Sequence, residues 1–556
     1  MVHRAAADDL ATHSVVNQPP DYAPRDLWAG DAALREAVLR HGGAGAGDLP
    51  AALGALAGSA RVMELGELAN RHPPTLRAFD RYGRRVDEVE FHPAYHELMD
   101  LVARHHVQSI AWMPERPGGH VAHAAMVILL TQAEAGVLCP AAMSYASVPV
   151  LRRRPDLAAE WLPRLLSGRY DGRCIPAGEK AGATIGMAMT EKQGGSDVRA
   201  NSTRARPAGG GNGGGEGGEY LLTGHKWFCS APMSDAFLTL AQTDRGLSCF
   251  LVPRWRPDGT RNVFRIQRLK DKLGNRSNAS AEIEYDGTSA WLVGGEGAGT
   301  ATIMDMVHHT RLDCGAAAAG LMRAAVGRAL HHTGHRSAFG RRLIDQPLMR
   351  QVLADMALES EAATALVLRV ARAFDRASAD PASRAFARLG VAVCKYWVTK
   401  RCPTLVYEAL ECHGGNGYVE EGDMPRLYRE APLNAIWEGS GNVICLDVLR
   451  TLQREPAALA ALEAELAAAG GLDGRLDRWM ADTRALLAAG TSLDLQARRL
   501  VERLALALQA AELLRHGPPA VADAFCASRL GGDWGQAFGT LPAGVDSEAI
   551  LARAAG

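Results

Sequence analysis

Three stretches of this 556-residue chain combine side chains capable of chemistry with glycines that let a ligand come close. The first is Met189-Thr190-Glu191-Lys192-Gln193-Gly194-Gly195-Ser196-Asp197. It closes a β-like run, and Gly-Gly followed by a hydroxyl and an acid lets backbone N–H groups approach a flat ring or a phosphate. The second, Gly224-His225-Lys226-Trp227-Phe228-Cys229-Ser230, sets two aromatics beside a hydroxyl on a strand. An aromatic face there stacks on a planar cofactor while Ser230 donates a hydrogen bond. The third pairs Cys412-His413-Gly414-Gly415-Asn416-Gly417-Tyr418 with Ile436-Trp437-Glu438-Gly439-Ser440-Gly441-Asn442. Glu438 is a carboxylate among apolar and small residues, costly to bury unless a function or a partner holds it. Taken singly, each stretch also has a plain reading: a turn, aromatic core packing, a capping or salt-bridged Glu.

The elements that must position these residues follow from texture. Residues 30 to about 180 carry Ala, Leu, Glu and Arg at helical spacing, and AAMVILLTQAEAGVL reads as a buried helix. Pro19-Pro20 and Pro73-Pro74 read as loops. From about 184 to 290 short alternating runs such as EYLLTGHKWF and LSCFLVP, bounded by Gly, Asp, Pro and Asn, predict strands. Within them RPAGGGNGGGEGGEY reads as a long hairpin tip. Helical texture returns near 300 and continues almost to the end, with stops at Gly470-Gly471 and at Gly517 before Pro518-Pro519.

Composition narrows the function classes. Lys plus Arg number 61 against 62 Asp plus Glu, a net of −1, so any nucleic-acid surface must come from local charge segregation. Ten cysteines without a C-x-x-C pair argue against a disulfide scaffold or a four-thiolate zinc module and fit a reducing cytoplasm. No apolar run reaches the roughly 18–20 residues of a membrane span, and the start lacks a secretory h-region, so a cytoplasmic protein is expected. His331 and His335 lie one turn apart but have no third ligand at helical spacing, and no metal is expected. Gly295-Glu296-Gly297-Ala298-Gly299 lacks the βαβ context of a dinucleotide loop.

Together the chemical stretches resemble the acyl-CoA dehydrogenase family of flavoproteins. That family carries an M-T-E-x-x-x-G-S-D-like loop, a G-x-K-x-W-I-T strand, an R-x-x-F-G helix, G-G-x-G-[YF] and [YW]-E-G-[ST]. All five have counterparts here in order, and the 24 residues from Gly414 to Glu438 match the family spacing. Longer phrases resemble the AidB branch, flavoproteins tied to the adaptive response to DNA alkylation: THSVVNQPP (12–20), RLKDKLGNRSNAS (268–280), QPLMR (346–350) and PRLYREAP (425–432). The resemblance implies an α+β fold: an N-terminal helical domain (1–183), a central antiparallel β domain that binds flavin (184–295), a helical bundle bearing the catalytic Glu (296–452) and an extra helical domain (453–556).

It also implies roles. Met189, Thr190, Gly195 and Ser196 border the FAD ring and the start of its phosphate chain. Phe228 takes the place of a stacking Trp, and Cys229 and Ser230 lie near the reactive nitrogen. Arg336 and Phe339 reach the FAD of a neighbouring subunit, as do Gly414, Gly415 and Gly417, so a homodimer or homotetramer is expected. Gln346 comes one residue earlier than the family's Gln, and Pro347 takes the aligned place. Ile436, Trp437, Gly439, Ser440 and Asn442 flank the catalytic base Glu438, and Trp437 narrows the acyl pocket toward short branched chains. Partners would be an acyl-CoA thioester such as isovaleryl-CoA, an electron-transfer flavoprotein and double-stranded DNA. For DNA the candidates are Arg450, Arg475, Arg478, Arg498, Arg499 and Arg503. Residues 451–556 hold ten Arg, no Lys and thirteen acids, so binding needs those arginines gathered on one face and sequence-independent. Two alternatives stay open: a metabolic acyl-CoA dehydrogenase without a DNA role, and a DNA-shielding scaffold without turnover.

Overall fold

The structure, a computed structural model, describes residues 9–209, 218–488 and 493–556. The Gly-rich stretch read as a hairpin tip falls on 210–217, outside the described residues. The amino-terminal part contains α1 (Ala32–Gly42), α2 (Asp48–Ala57), α3 (Ala60–Arg71), β1 (Thr75–Phe79), β2 (Arg85–Glu90), α4 (Pro93–Arg104), α5 (Gly119–Thr131), α6 (Leu138–Leu151) and α7 (Pro155–Leu165). Every residue of α5 is buried, the expected fate of a helix apolar on all sides. The hairpin β1–β2 departs from the helical expectation. TLRAF is short and has one charge, and RVDEVE carries charge on both faces, so a clear period-two apolar signal is missing. Polar contacts hold it to the sheet instead: Ile266 N donates to Asp87 Oδ1 at 2.9 Å, and Arg85 Nη2 donates to Ile266 O at 2.8 Å.

The central sheet comprises β3 (Ile185–Ala188), β4 (Arg204–Pro207), β5 (Glu219–Ser230), β6 (Ala236–Thr243), β7 (Gly246–Pro253), β8 (Phe264–Leu269) and β9 (Ser280–Val293). Strand order β3-β6-β4-β5-β9-β7, with β7 pairing back to β6, closes a small barrel. The antiparallel expectation needs one amendment: β3 and β4 both pair with β6 in parallel. The remaining pairings are antiparallel; β6 and β7 are buried on both faces, and β5 and β9 alternate in part, around an aromatic core of Phe237, Phe250, Phe264 and Tyr285.

The carboxyl-terminal bundle is built on α8 (Gly299–His335), the short pair β10 (Ser337–Ala338) and β11 (Arg341–Arg342), α9 (Pro347–Arg376), α10 (Pro381–Glu411), α11 (Met424–Glu430) and α12 (Gly441–Arg454). Asp380 caps α10 by accepting from the N–H groups of Ala382 and Ser383, and Pro381 fits the first helical position. The tail adds α13 (Pro456–Ala467), α14 (Gly474–Ala488), α15 (Leu493–His516), α16 (Pro519–Phe525) and α17 (Ser547–Ala555). Leu462, Leu500, Leu504, Phe525 and Ile550 of the tail lie in one continuous apolar core with the bundle and the amino-terminal helices. Fully buried Arg529 reaches Asp355 at 2.6 Å and Glu359 at 3.0 Å, and Arg553 bridges Glu361 and Glu36. The tail is therefore an integral layer of the helical body.

Candidate active site and cofactor cleft

The first two chemical stretches form one unit. Glu191 and Lys226 make a fully buried ion pair of 2.8 Å, and Glu191 also accepts from Ser202 and Thr203 backbone N–H groups and from Gln193 Nε2. Burial raises the Glu191 carboxyl, but the Lys226 charge and these hydrogen bonds hold it far below its ordinary value. Trp227 N donates to Thr190 O at 2.7 Å, fastening the loop to β5. Gly195 is required there, because a Cβ would lie 2.4 Å from Thr190 Oγ1. Phe228 is 50% exposed, a large open aromatic face beside that loop, and Lys270 Nζ stands 4.8 Å from its ring. Cys229 points the other way, into the barrel core, so only its backbone is available to a cofactor. Burial raises its thiol well above the ordinary range.

Glu438 stands where α8, α10 and the turn before α12 meet. Thr310 Oγ1 donates to its Oε2 at 2.8 Å, Arg311 Nε donates to its backbone oxygen at 3.1 Å, and Lys395 Nζ donates to Gly439 O at 2.5 Å. Asp447 anchors Arg311 at 2.7 Å and Arg388 at 2.9 Å. Burial pushes the Glu438 carboxyl up, against the lowering pull of the Thr310 hydroxyl and the Arg311 and Lys395 charges, and nearby Asp313 adds to the rise. The thiol of Cys139 is pushed up to about 11 by burial, with Ser230 and the charge of Glu438 both close enough to act on it. Ser230 and Glu438 thus face one small region from opposite domains. Trp437, hydrogen-bonded through Nε1 to Asn434 at 3.0 Å, and Met189 pack on the same apolar cluster.

Ile436, Ser440 and Asn442 line a cavity of about 390 Å³ together with Thr399, Lys400 and Arg498. An aromatic platform, a glycine cradle, a hydroxyl and this cavity beside the acid fit the ring, arm and phosphates of FAD.

Arg336, Phe339 and the turn Gly414–Gly417 are placed elsewhere. Arg336 follows the end of α8, 26 residues beyond Thr310, roughly 39 Å along the helix at about 1.5 Å per residue. Phe339 is 99% exposed with φ 52°, and Tyr418 is 82% exposed. The His332 and His413 rings, 4.6 Å apart, bring the glycine turn to the same end of the molecule. Gln346 Nε2 donates to Ala338 O at 3.1 Å, so it supports the β10–β11 hairpin.

The arginine set divides. Arg475 is bound by Asp473 and Asp523, and Arg503 packs 3.9 Å over Trp479 and donates to Thr483 and the Trp479 carbonyl. These two are committed inside the tail and cannot also meet phosphate. Arg478 and Arg499 are exposed and form no ion pair among the described residues, while Arg450 has Asp447 at 3.9 Å. Arg498 lines the cavity beside Asn442. Sequence reasoning missed Thr310, Arg311, Lys395, Lys400 and Asp447. Only the Glu191–Lys226 pair carried a signal, since both residues sit inside the motifs.

Comparison with known proteins gives matches along most of the chain. Residues 17–172 match the adaptive response protein AidB N-terminal domain, 186–288 the acyl-CoA dehydrogenase middle domain and 297–453 the acyl-CoA dehydrogenase C-terminal domain. AidB of Escherichia coli (strain K12) is 46% identical over 517 residues, 93% of this chain and 94% of the relative. The structure of Caenorhabditis elegans ACDH-11 in complex with C11-CoA superposes with TM-score 0.82 at 26% identity, covering 100% of this chain and 95% of that one. An acyl-CoA dehydrogenase from Bacillus anthracis complexed with FAD shares the fold at TM-score 0.64 and 20% identity, covering 78% of this chain and 80% of that one.

Proposed function

The chain belongs to the acyl-CoA dehydrogenase family, on its AidB branch, and from that membership we propose that it desaturates a short or branched acyl-CoA and binds duplex DNA in the response to alkylation damage. It is an FAD-dependent oxidoreductase acting on a CH–CH bond. The observation that carries the desaturation reading is Glu438, half-buried and hydrogen-bonded through one carboxylate oxygen only. Thr310 occupies Oε2, and no hydrogen bond to Oε1 is present among the described residues, so Oε1 is left to take the α-proton of a thioester. Arg311 and Lys395 hold the carbonyls of Glu438 and Gly439, fixing the backbone at the base and just after it. The chemistry FAD supplies when bound is acceptance of the β-hydride, so that proton and hydride together leave an α,β-enoyl thioester. Trp437, fixed by Asn434, takes up acyl volume and supports a short branched chain such as isovaleryl.

The DNA reading is supported by likeness to AidB and by exposed Arg478 and Arg499. With no base-reading motif, binding would be sequence-independent. A second reading, a metabolic dehydrogenase passing electrons to an electron-transfer flavoprotein, is favoured by the tail's excess of acids over arginines. We place the protein in the cytoplasm as a homodimer or homotetramer.

Two measurements test this. Anaerobic isovaleryl-CoA should bleach the flavin of the wild-type protein, and Glu438→Gln should lower that rate by about 10²–10⁴ with FAD retained. Undiminished bleaching in the variant would remove Glu438 from the reaction. Duplex DNA that fails to bind even at low salt would leave the metabolic reading.

A further inference from the structure

We propose that His123 of α5 and Asp313 of α8 are a positioning pair for the base: by sharing one proton they stay jointly neutral and keep a second negative charge away from Glu438. This rests on the reading of Glu438 as the base and names what sets its charge state.

Both side chains are buried, His123 at 1% and Asp313 at 5% exposure. His123 Nε2 lies 2.7 Å from Asp313 Oδ1, and its Nδ1 lies 2.6 Å from the Val107 carbonyl oxygen. A carbonyl only accepts, so Nδ1 carries hydrogen. Nε2 then meets the carboxyl oxygen in one of two ways, as N–H donating to a carboxylate or as acceptor from a carboxylic acid. The two forms differ only in where one proton sits, and the pair has no net charge in either. Loss of that proton would set two lone pairs 2.7 Å apart and leave a buried carboxylate unpaired. Asp313 Oδ2 has no hydrogen-bond partner among the described residues, so nothing else compensates such a charge there.

The pair reaches the base through one turn of α8. Asp313 is three residues from Thr310, which places their Cβ atoms about 5–6 Å apart on one face. Thr310 Oγ1 donates to Glu438 Oε2. A bare charge on Asp313 would therefore oppose ionisation of Glu438 at close range. Arg311 and Lys395 face the base as cations, and the thiols of Cys139 and Cys314 are raised by burial and neutral. Asp313 is the acid in that company.

The groups around the pair leave the proton to it. Tyr145 of α6 stacks on the His123 ring at 3.8 Å, and its hydroxyl meets His120 Nδ1 at 2.7 Å. Burial lowers His120 and His309, so both are neutral at pH 7. Burial lowers His123 too, but the charge and hydrogen bond of Asp313 and the Val107 carbonyl raise it beyond its ordinary value. Asp375 of α9, with Arg376 beside it, is taken up by the backbone N–H groups of His120 and Val121. Arg152 stands over Trp112, 5.2 Å from its ring.

FAD-loaded protein is followed by infrared spectroscopy from pH 4 to 8, the Glu438 carboxyl band being the one absent from Glu438→Gln. Asp375, which burial raises to about 6, titrates in the same window but keeps its band in that variant. His123→Gln still hydrogen-bonds but cannot carry the proton, and it should move Glu438 ionisation up by about one pH unit, tenfold in its constant. Adding Asp313→Asn should return it to the wild-type value or below. The same shifts should appear in the acidic limb of kcat/KM for isovaleryl-CoA. Ionisation unmoved in His123→Gln, or a double variant displaced as far as His123→Gln alone, overturns the pairing. If His123→Gln does not fold, Asp313→Asn alone decides: a value at or below wild type supports the pair, and a rise overturns it. Protein that holds FAD but is not bleached by isovaleryl-CoA sinks the desaturation reading, while the infrared shifts still judge the pair.

Discussion

Glu438 has φ 58°, a left-handed conformation that costs a side-chain-bearing residue of order 1–3 kcal/mol and persists where surrounding bonds over-determine it. Those bonds are the ones from Arg311 and Lys395 to the carbonyls of Glu438 and Gly439. They hold the base toward the cleft. The raised pKa of the carboxyl has a sign that can be read in kinetics. Because the base works only when ionised, kcat/KM should rise with pH through a value above the ordinary glutamate range of about 4.3. Thr310→Val removes a bond that favours the charged form, so that acidic limb should move to still higher pH. A limb that stays in place, measured over pH 4–8 with isovaleryl-CoA, would show that another group titrates. Glu438 was legible in the sequence because it stands alone among apolar and small neighbours. Thr310, 128 residues away on α8, was not, since a threonine in a long Ala-rich helix carries no mark until the fold delivers it.

At the scale of elements, the flavin loop and β5 depend on a single buried pair. Lys226→Met leaves Glu191 charged and unpaired at zero exposure, which should cost about 3–5 kcal/mol in urea unfolding. Flavin release should accompany it, because Thr190 and Gly195 belong to the same loop. Replacing both partners by apolar residues should recover much of the loss, which separates an unpaired charge from lost packing. Asp447, which joins α12 to α8 and α10, behaves differently with pH. Despite burial, Arg311 and Arg388 hold its carboxyl down to about 2, below the ordinary aspartate value of about 3.9. Its contribution is therefore complete above about pH 4 and is lost as pH falls through about 2. Most helices and strands could be read from periodicity and punctuation, as at Pro381 and Gly470-Gly471. The β1–β2 hairpin could not, because the charged faces of RVDEVE hide the period, and the parallel pairing of β3 and β4 with β6 depends on connections no local pattern encodes.

The whole molecule puts its two sets of functional residues far apart. Arg336, Phe339 and the Gly414–Gly417 turn lie together at one end, while Glu438 lies near the other end of α8. A nearly fully exposed Phe339 makes sense where another copy of the chain covers it. Phe339→Asp should then shift the particle to smaller mass in light scattering and weaken FAD retention, even though Phe339 is distant from its own cleft. Unchanged mass would place the cofactor wholly within one chain. Ion pairing also decides which side chains are free to meet DNA. The tail's ten arginines looked interchangeable in sequence, yet five are tied to acids, and Arg498 points into the cavity. A phosphate face can therefore draw on Arg478 and Arg499 but not on Arg475 or Arg503. Arg478→Glu with Arg499→Glu should weaken retardation of duplex DNA alike for unrelated sequences. The slope of log affinity against log salt should fall by about 0.9 for each phosphate that is no longer neutralised. Arg503→Ala should instead lower thermal stability, since it strips Trp479 of its cation and leaves the Thr483 hydroxyl without that donor. If Arg503→Ala lowers DNA affinity without touching stability, the division between structural and phosphate-facing arginines is wrong. The net acidity of the tail would then weigh fully on the side of a dehydrogenase with no nucleic-acid partner.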